Sequence, residues 1–111
     1  MIARVWRGWA THQNADALEA VLKTQSIPGI LSKNIAGLRE AQLLRLERLG
    51  ETEFIIMLWF DDMEAVQALA VARGAAEGDY ERSIMSMQTR KLLRRFDVKV
   101  EHYEVKATAR P

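Results

Sequence analysis

Cysteine is absent from this chain of 111 residues, and histidine occurs only twice. Without cysteine the protein has no disulfide, no thiolate nucleophile and no cysteine-ligated metal site. The two histidines, His12 and His102, lie far apart in the sequence and make a weak set of metal ligands, although carboxylates are plentiful. Gly74 and Gly78 lack the strand-to-helix context of a nucleotide-binding loop. We therefore expect neither a metal nor a cofactor.

A large net charge and a long apolar run are also absent. Sixteen Lys and Arg residues against fifteen Asp and Glu residues give a net charge of +1, which is too small a field to attract a phosphate backbone. No run of about 18 apolar residues could span a membrane, and the N-terminus lacks the basic stretch and apolar core of a signal peptide. We expect a cytoplasmic protein that binds neither nucleic acid nor membrane.

Length and composition indicate a single domain. A chain of 111 residues, 49% of them hydrophobic, can bury one core but not two. Residues 106–111 contain no large apolar side chain that could anchor them. We therefore expect one domain over residues 1–105, followed by a mobile tail over residues 106–111.

The pattern along the chain predicts the order strand, helix, strand, strand, helix, strand, which is typical of an α+β sandwich. Residues 2–10, the apolar run over residues 53–60 and residues 98–105 are predicted strands. The other expected features are a helix from about Ala15, a break at Pro28-Gly29, a connection over residues 30–37, a helix capped by Asp61-Asp62 and a short helix over residues 88–96.

Residues 38–49 permit two interpretations. The segment LREAQLLRLERL is rich in strong helix formers, which favours a helix. An alternation is also present, with Gln42, Leu44 and Leu46 on one side, so a long strand is possible.

The first strand carries more large polar and aromatic side chains than an ordinary structural strand needs. Because residues alternate faces along a strand, Arg4 and Trp6 share one side while Arg7 and Trp9 share the other. The helices of the chain can cover one face, and a second subunit is the expected cover of the other. Arg and Trp are both enriched at interfaces, so we interpret Arg7 and Trp9 as dimer contacts.

Three stretches together resemble the antibiotic biosynthesis monooxygenase family: residues 2–9 (IARVWRGW), residues 53–61 (EFIIMLWFD), and Phe96-Asp97 with the later HYEV over residues 102–105. The resemblance implies a ferredoxin-like βαββαβ fold with an antiparallel four-stranded sheet. It also implies that two subunits pack their sheets face to face as a dimeric α/β barrel, and that residues 38–49 form a strand despite their helix propensity.

Known members of this family oxidise polycyclic aromatic compounds without metal or flavin, degrade haem, or act on small quinones. The haem-degrading members have an asparagine on the first strand, a tryptophan on the second helix and a histidine soon after it. Here the corresponding positions hold Trp6 and a residue near Ala68, and no histidine lies between His12 and His102. The departure argues against haem degradation.

Five residues are candidates for a site. Arg4 could pair with an anionic or enolate oxygen and Trp6 could stack on a flat ring, or both could be structural. His102 could abstract a proton from a phenol or quinol, or be a hydrogen-bonded structural residue. Tyr80 could donate a hydrogen bond at a pocket mouth or close the core. The resemblance places Trp59 on a central strand beside that of Trp6.

These observations predict a homodimer, resembling cofactor-independent monooxygenases, that acts on a small aromatic or quinone-like molecule. Catalytic roles are expected for Arg4 and His102, and substrate-binding roles for Trp6, Trp59 and Tyr80. The alternative is a non-catalytic module for ligand binding or assembly on the same fold, because a fold does not determine a function.

Overall fold

Two helical regions separate the strands of the chain, and a computed structural model describes residues 1–111. The strands are β1 (Ile2–Ala10), β2 (Leu38–Glu47), β3 (Thr52–Phe60), β4 (Arg95–Phe96) and β5 (Glu101–Glu104). The helices are α1 (His12–Val21), α2 (Ile27–Leu31), α3 (Met63–Ala72) and α4 (Met87–Leu92), and a π-helical segment (Leu22–Ser26) joins α1 to α2. None of the helices is long and apolar enough to cross a membrane.

The strands form one antiparallel sheet in the order β2, β3, β1, with β4 and β5 both paired to the remaining edge of β1. This arrangement confirms the predicted ferredoxin-like fold. Two details differ from the prediction. Phe96 pairs with Gly8 in the sheet instead of ending a helix, and the fourth strand position is filled by two short strands instead of one over residues 98–105.

The strand interpretation of residues 38–49 is confirmed over Leu38–Glu47, and the helix interpretation is wrong. This segment pairs antiparallel with β3 along its length. Ala41 and Leu43 pack against the core from the face that the helices cover. The ladder of hydrogen bonds to a central strand and this packing outweigh an intrinsic helix preference of a few tenths of a kcal/mol, roughly, per residue.

The predicted break at Pro28-Gly29 and the connection from residue 30 are wrong, because the helix continues to Leu31. Helix α1 also begins at His12 rather than near Ala15, and the Thr11 side chain caps its first turn. The π-helical segment explains the continuation. In this wider turn the Ile27 N–H donates a hydrogen bond to the Leu22 carbonyl oxygen. Pro28 therefore lies in the first turn of α2, where proline is tolerated.

The two faces of the sheet have different environments. The face under the helices carries the core, whose largest fully buried side chains include Phe54, Phe60, Leu18, Leu22 and Leu69. The opposite face, which we call the open face, carries a groove lined by side chains of β1, β3 and β5 and by the C-terminal residues Ala107, Thr108 and Ala109. No helix covers the open face.

Candidate functional site

A cavity of about 380 Å³ lies between the sheet and the helices. This volume is within the usual range for small-molecule sites. Strands β1 and β3 form its floor, and the π-helical segment, the end of α3 and the start of α4 form its walls. Its lining includes Arg4, Trp6, Ser26, Arg73, Met85 and Thr89.

Trp6 forms an aromatic wall of this cavity. It is 9% exposed, and its indole Nε1–H donates a hydrogen bond of 2.7 Å to Ser83 Oγ. The neighbouring position on the same face of β1 is Gly8, and the indole ring lies where a side chain of residue 8 would be. Because of this close approach, the ring is fixed against the sheet.

Replacing Gly8 with alanine should therefore displace Trp6. The added Cβ would lie 2.6 Å from Trp6 Cη2 and 2.8 Å from Leu93 Cδ2, which forces two packed side chains to move. We expect a loss of about 1–3 kcal/mol in the free energy of unfolding, measured by denaturant titration. Gly50→Ala is the control, because nothing lies within 4 Å of its Cβ position. Equal stability of both variants would contradict this packing.

Arg4 lies beside Trp6 on β1 and is 6% exposed. Its guanidinium donates from Nη1 to the Tyr80 carbonyl oxygen at 2.6 Å and to His102 Nε2 at 2.9 Å. Arg4 and His102 are register partners on β1 and β5. A guanidinium can only donate, so Nε2 of His102 must accept and its Nδ1 carries the proton of the neutral ring.

His102 is neutral at physiological pH. Burial and then the Arg4 charge lower the pKa of the imidazole to about 4. The unfolded chain, with a His pKa of 6.5, therefore takes up the proton first as the pH falls. The neutral ring keeps the hydrogen bond from Arg4 over the whole physiological range.

The free energy of unfolding should consequently fall between pH 6.5 and about pH 4 and level off below that. We expect His102 to account for about 1–2 kcal/mol of this fall in the free energy of unfolding. Solvent at the half-buried ring makes this less than the full effect of the lowered pKa. His102→Gln should lose this component while keeping an acceptor for Arg4. A His102 ring that titrates near its ordinary pKa in an NMR experiment would contradict the assignment.

Arg73 also lines the cavity, although no pattern in the sequence indicated this. It ends α3, and its Nη2 donates to the Ile84 carbonyl oxygen at 2.9 Å. Burial lowers its pKa, and burial together with the Arg73 charge lowers the pKa of Arg4 to about 10, so both remain cations at neutral pH. An arginine at a helix C-terminus is ordinary capping chemistry, which is why the sequence contained no signal.

The structure brings four of the five predicted residues together. Arg4, Trp6 and His102 lie on the helix-covered face, and the Tyr80 ring meets the His102 ring edge-on, with centroids 5.3 Å apart. Trp59 lies on the open face, where its indole donates to Gln42 at 2.9 Å, so it does not line the cavity.

Arg7 and Trp9 lie on the face opposite to Arg4, as their alternation predicts. Arg7 lies 3.3 Å from a carboxylate oxygen of Glu101, and the Arg95 guanidinium stacks on the Trp9 ring at 4.0 Å. Both pairs therefore belong to the open face and contribute nothing to the cavity. The chain also contains no cluster of three or more metal-ligating side chains.

Comparison with known proteins gives a structural match only. Neither a protein-family model nor a curated protein sequence matches the chain. A Bacillus cereus protein assigned to antibiotic biosynthesis monooxygenases superposes with a TM-score of 0.67 at 11% identity, covering 100% of this chain and 96% of the other.

Two further solved structures are similar. A MhuD mutant with two manganese protoporphyrin IX molecules bound per active site has a TM-score of 0.66 at 18% identity, covering 100% of both chains. Rv0793 from Mycobacterium tuberculosis has a TM-score of 0.56 at 22% identity, covering 98% of both chains. The chain therefore has the fold of the antibiotic biosynthesis monooxygenase-like proteins, as the sequence resemblance predicted.

Proposed function

We propose that this protein is a cofactor-independent monooxygenase that acts on a small aromatic or quinone-like molecule in the cavity of Arg4 and Trp6. One observation carries the proposal: an indole wall and a buried guanidinium border the same half-open cavity. The indole offers a flat stacking surface. The guanidinium offers a cation to a phenolate or enolate oxygen, in surroundings where such a contact is strong.

The chemistry that follows uses the substrate as the reductant. A phenol or anthrol loses its proton to water and becomes an electron-rich anion that Arg4 stabilises. The anion reduces O₂. One oxygen atom forms a bond to a ring carbon, and the other is released as water together with the two hydrogens that the substrate loses. The cavity orients the anion and removes part of its water shell.

In this proposal His102 is a positioning residue. Direct proton abstraction by its Nε2 would first require breaking the hydrogen bond from Arg4, and a pKa of about 4 makes the ring a weak base. As a positioning residue, His102 keeps this hydrogen bond and uses it to hold the Arg4 guanidinium in a fixed orientation. Tyr80 contributes in the same way, through its carbonyl oxygen on Arg4 and its ring on His102.

We further propose that the protein is a cytoplasmic homodimer, packed through the open faces of two sheets. The odd-numbered side chains of β3, namely Ile55, Met57 and Trp59, support this assembly because they form an apolar strip that no helix covers. Residues 106–111 are then expected to be a mobile tail that leaves this groove when the second subunit packs there.

The test of the proposed activity is O₂ consumption by the purified protein with a panel of anthrols, quinols and related phenols, together with product spectra. We expect turnover by the wild type and a loss of about tenfold or more in Trp6→Leu. Trp59→Leu is the matched control, because this tryptophan lies on the other face. Turnover that survives in Trp6→Leu and disappears in Trp59→Leu would place the site on the open face.

A second candidate function is a non-catalytic ligand-binding or assembly module. One observation favours it: no carboxylate or imidazole lines the cavity, so no general base stands next to a bound molecule. Saturable binding of the same compounds without any O₂ consumption would support this alternative and reject the oxygenase proposal.

The porphyrin bound by MhuD is not a substrate that we propose here. The lining of the cavity offers neither an imidazole nor a thiolate to ligate a haem iron. His102, the nearest candidate, already accepts a hydrogen bond through Nε2. The donor set therefore favours a metal-free aromatic ligand.

A further inference from the structure

Two arginines in the cavity have no acidic partner. Most surface arginines of this chain pair with carboxylates, as Arg39 does with Asp61 and Arg45 does with Asp16. Arg4 and Arg73 form no ion pair, and their hydrogen-bond partners are two backbone carbonyls and the neutral His102 ring. The Arg4 charge is therefore removed from water, and the Arg73 charge partly removed, without either being neutralised.

This arrangement is costly in the empty protein. Burial of an unpaired cation disfavours its charged form, and a like charge nearby adds to the penalty. Both effects act on Arg4, whose pKa is lowered by burial and then by the charge of Arg73. An anion that contacts both groups would remove the repulsion and supply the missing counter-charge, so the site is electrostatically suited to a negative ligand.

The rest of the lining is divided into a polar part and an apolar part. Ser26, Ser86 and Thr89 provide hydroxyls, and the exposed Lys33 adds a third cation. Trp6, Leu58 and Met85 form the apolar part. No Asp or Glu lines the cavity, so nothing in the lining would repel an anion.

We propose that the ligand of this cavity is an aromatic carboxylate whose ring lies against Trp6. Its carboxylate contacts Arg73 and shares the free N–H groups of Arg4 with the phenolate oxygen of the proposed reaction. The inference rests on the proposed function in placing the substrate in this cavity. It adds a permanent negative charge, which an anthrol or a quinone does not need. A planar carboxylate fits the fork of guanidinium donors, and two arginines can share its two oxygens.

The test uses an isosteric pair of probes, 2-naphthoate and its neutral analogue 2-naphthamide, with dissociation constants measured by calorimetry at pH 7. We expect the wild type to bind 2-naphthoate about tenfold or more tightly than 2-naphthamide. Arg73→Met should lose this preference, and Arg73→Lys should keep part of it. Arg82→Met, a nearby surface arginine paired with Asp79, should keep all of it.

Three outcomes would overturn the inference: equal affinity of the two probes for the wild type, an undiminished preference in Arg73→Met, or no binding of either probe. Thermal melting of Arg73→Met verifies the fold. We expect little loss of stability, because removing a half-buried unpaired charge offsets the lost hydrogen bond to the Ile84 carbonyl oxygen. Oxygen consumption is measured separately. If no compound is turned over, the oxygenase proposal is rejected. The charge preference is still decided by the relative affinities of 2-naphthoate and 2-naphthamide.

Discussion

Replacing Arg4 with methionine is expected to lower turnover by about 100-fold or more, the usual cost of removing one donor to a developing oxyanion. Arg4 is the buried cation that contacts the substrate oxygen in the proposed chemistry, and methionine has a similar length without charge. The variant should remain folded, because removing an unpaired buried cation offsets part of the cost of leaving the Tyr80 carbonyl oxygen and His102 Nε2 without this donor, and thermal melting checks it. The measurement is kcat/KM from O₂ consumption.

Arg7→Met is the matched control for this prediction. Arg7 lies on the same strand but on the open face, where it contacts Glu101, so its loss should leave the chemistry of the cavity intact. Turnover that is unchanged in both Arg4→Met and Trp6→Leu would refute the assignment of the site to this cavity.

Replacing Met57 with lysine is expected to dissociate the proposed homodimer. Met57 lies in the middle of β3 on the open face, so two sheets packed face to face would bury the new charge without a partner. We expect the dimer dissociation constant to rise about 100-fold or more, since burying an unpaired ion costs several kcal/mol. Sedimentation equilibrium or light scattering after size-exclusion chromatography measures the change.

Met87→Lys is the control for the interface, because Met87 is 76% exposed on α4, away from the open face. It should leave the oligomeric state unchanged. A wild-type protein that is monomeric at high concentration, or a dimer that persists in Met57→Lys, would contradict packing through the open faces.

The alternation along β1 was sufficient to predict which of its side chains share a face. Arg4 and Trp6 lie in the cavity and Arg7 and Trp9 on the opposite face because strand geometry fixes their order. The conformation of Leu38–Glu47 does not follow from its own residues. Its residues favour a helix, and only pairing with β3 makes it a strand, so the family resemblance was needed to predict it.

Other features depend on information that the sequence does not carry locally. The face of Trp59 follows from the register in which Ala3 pairs with Trp59 and Arg4 with Leu58, and a shift of one residue would reverse it. Arg73 enters the cavity because α3 ends above the sheet at that point. The helix passes Pro28 because a single π-helical turn precedes it. Each of these results is set by tertiary packing.

The three tryptophans distinguish the cavity under the helices from the open face as the ligand site. Indole ¹⁵N–¹H NMR signals, assigned with single Trp→Phe variants, would be followed during titration with 2-naphthoate. We expect the Trp6 signal to shift, because its indole borders the cavity, while the Trp9 and Trp59 signals on the open face stay in place. A saturable shift of the Trp59 signal with an unchanged Trp6 signal would contradict binding in the cavity.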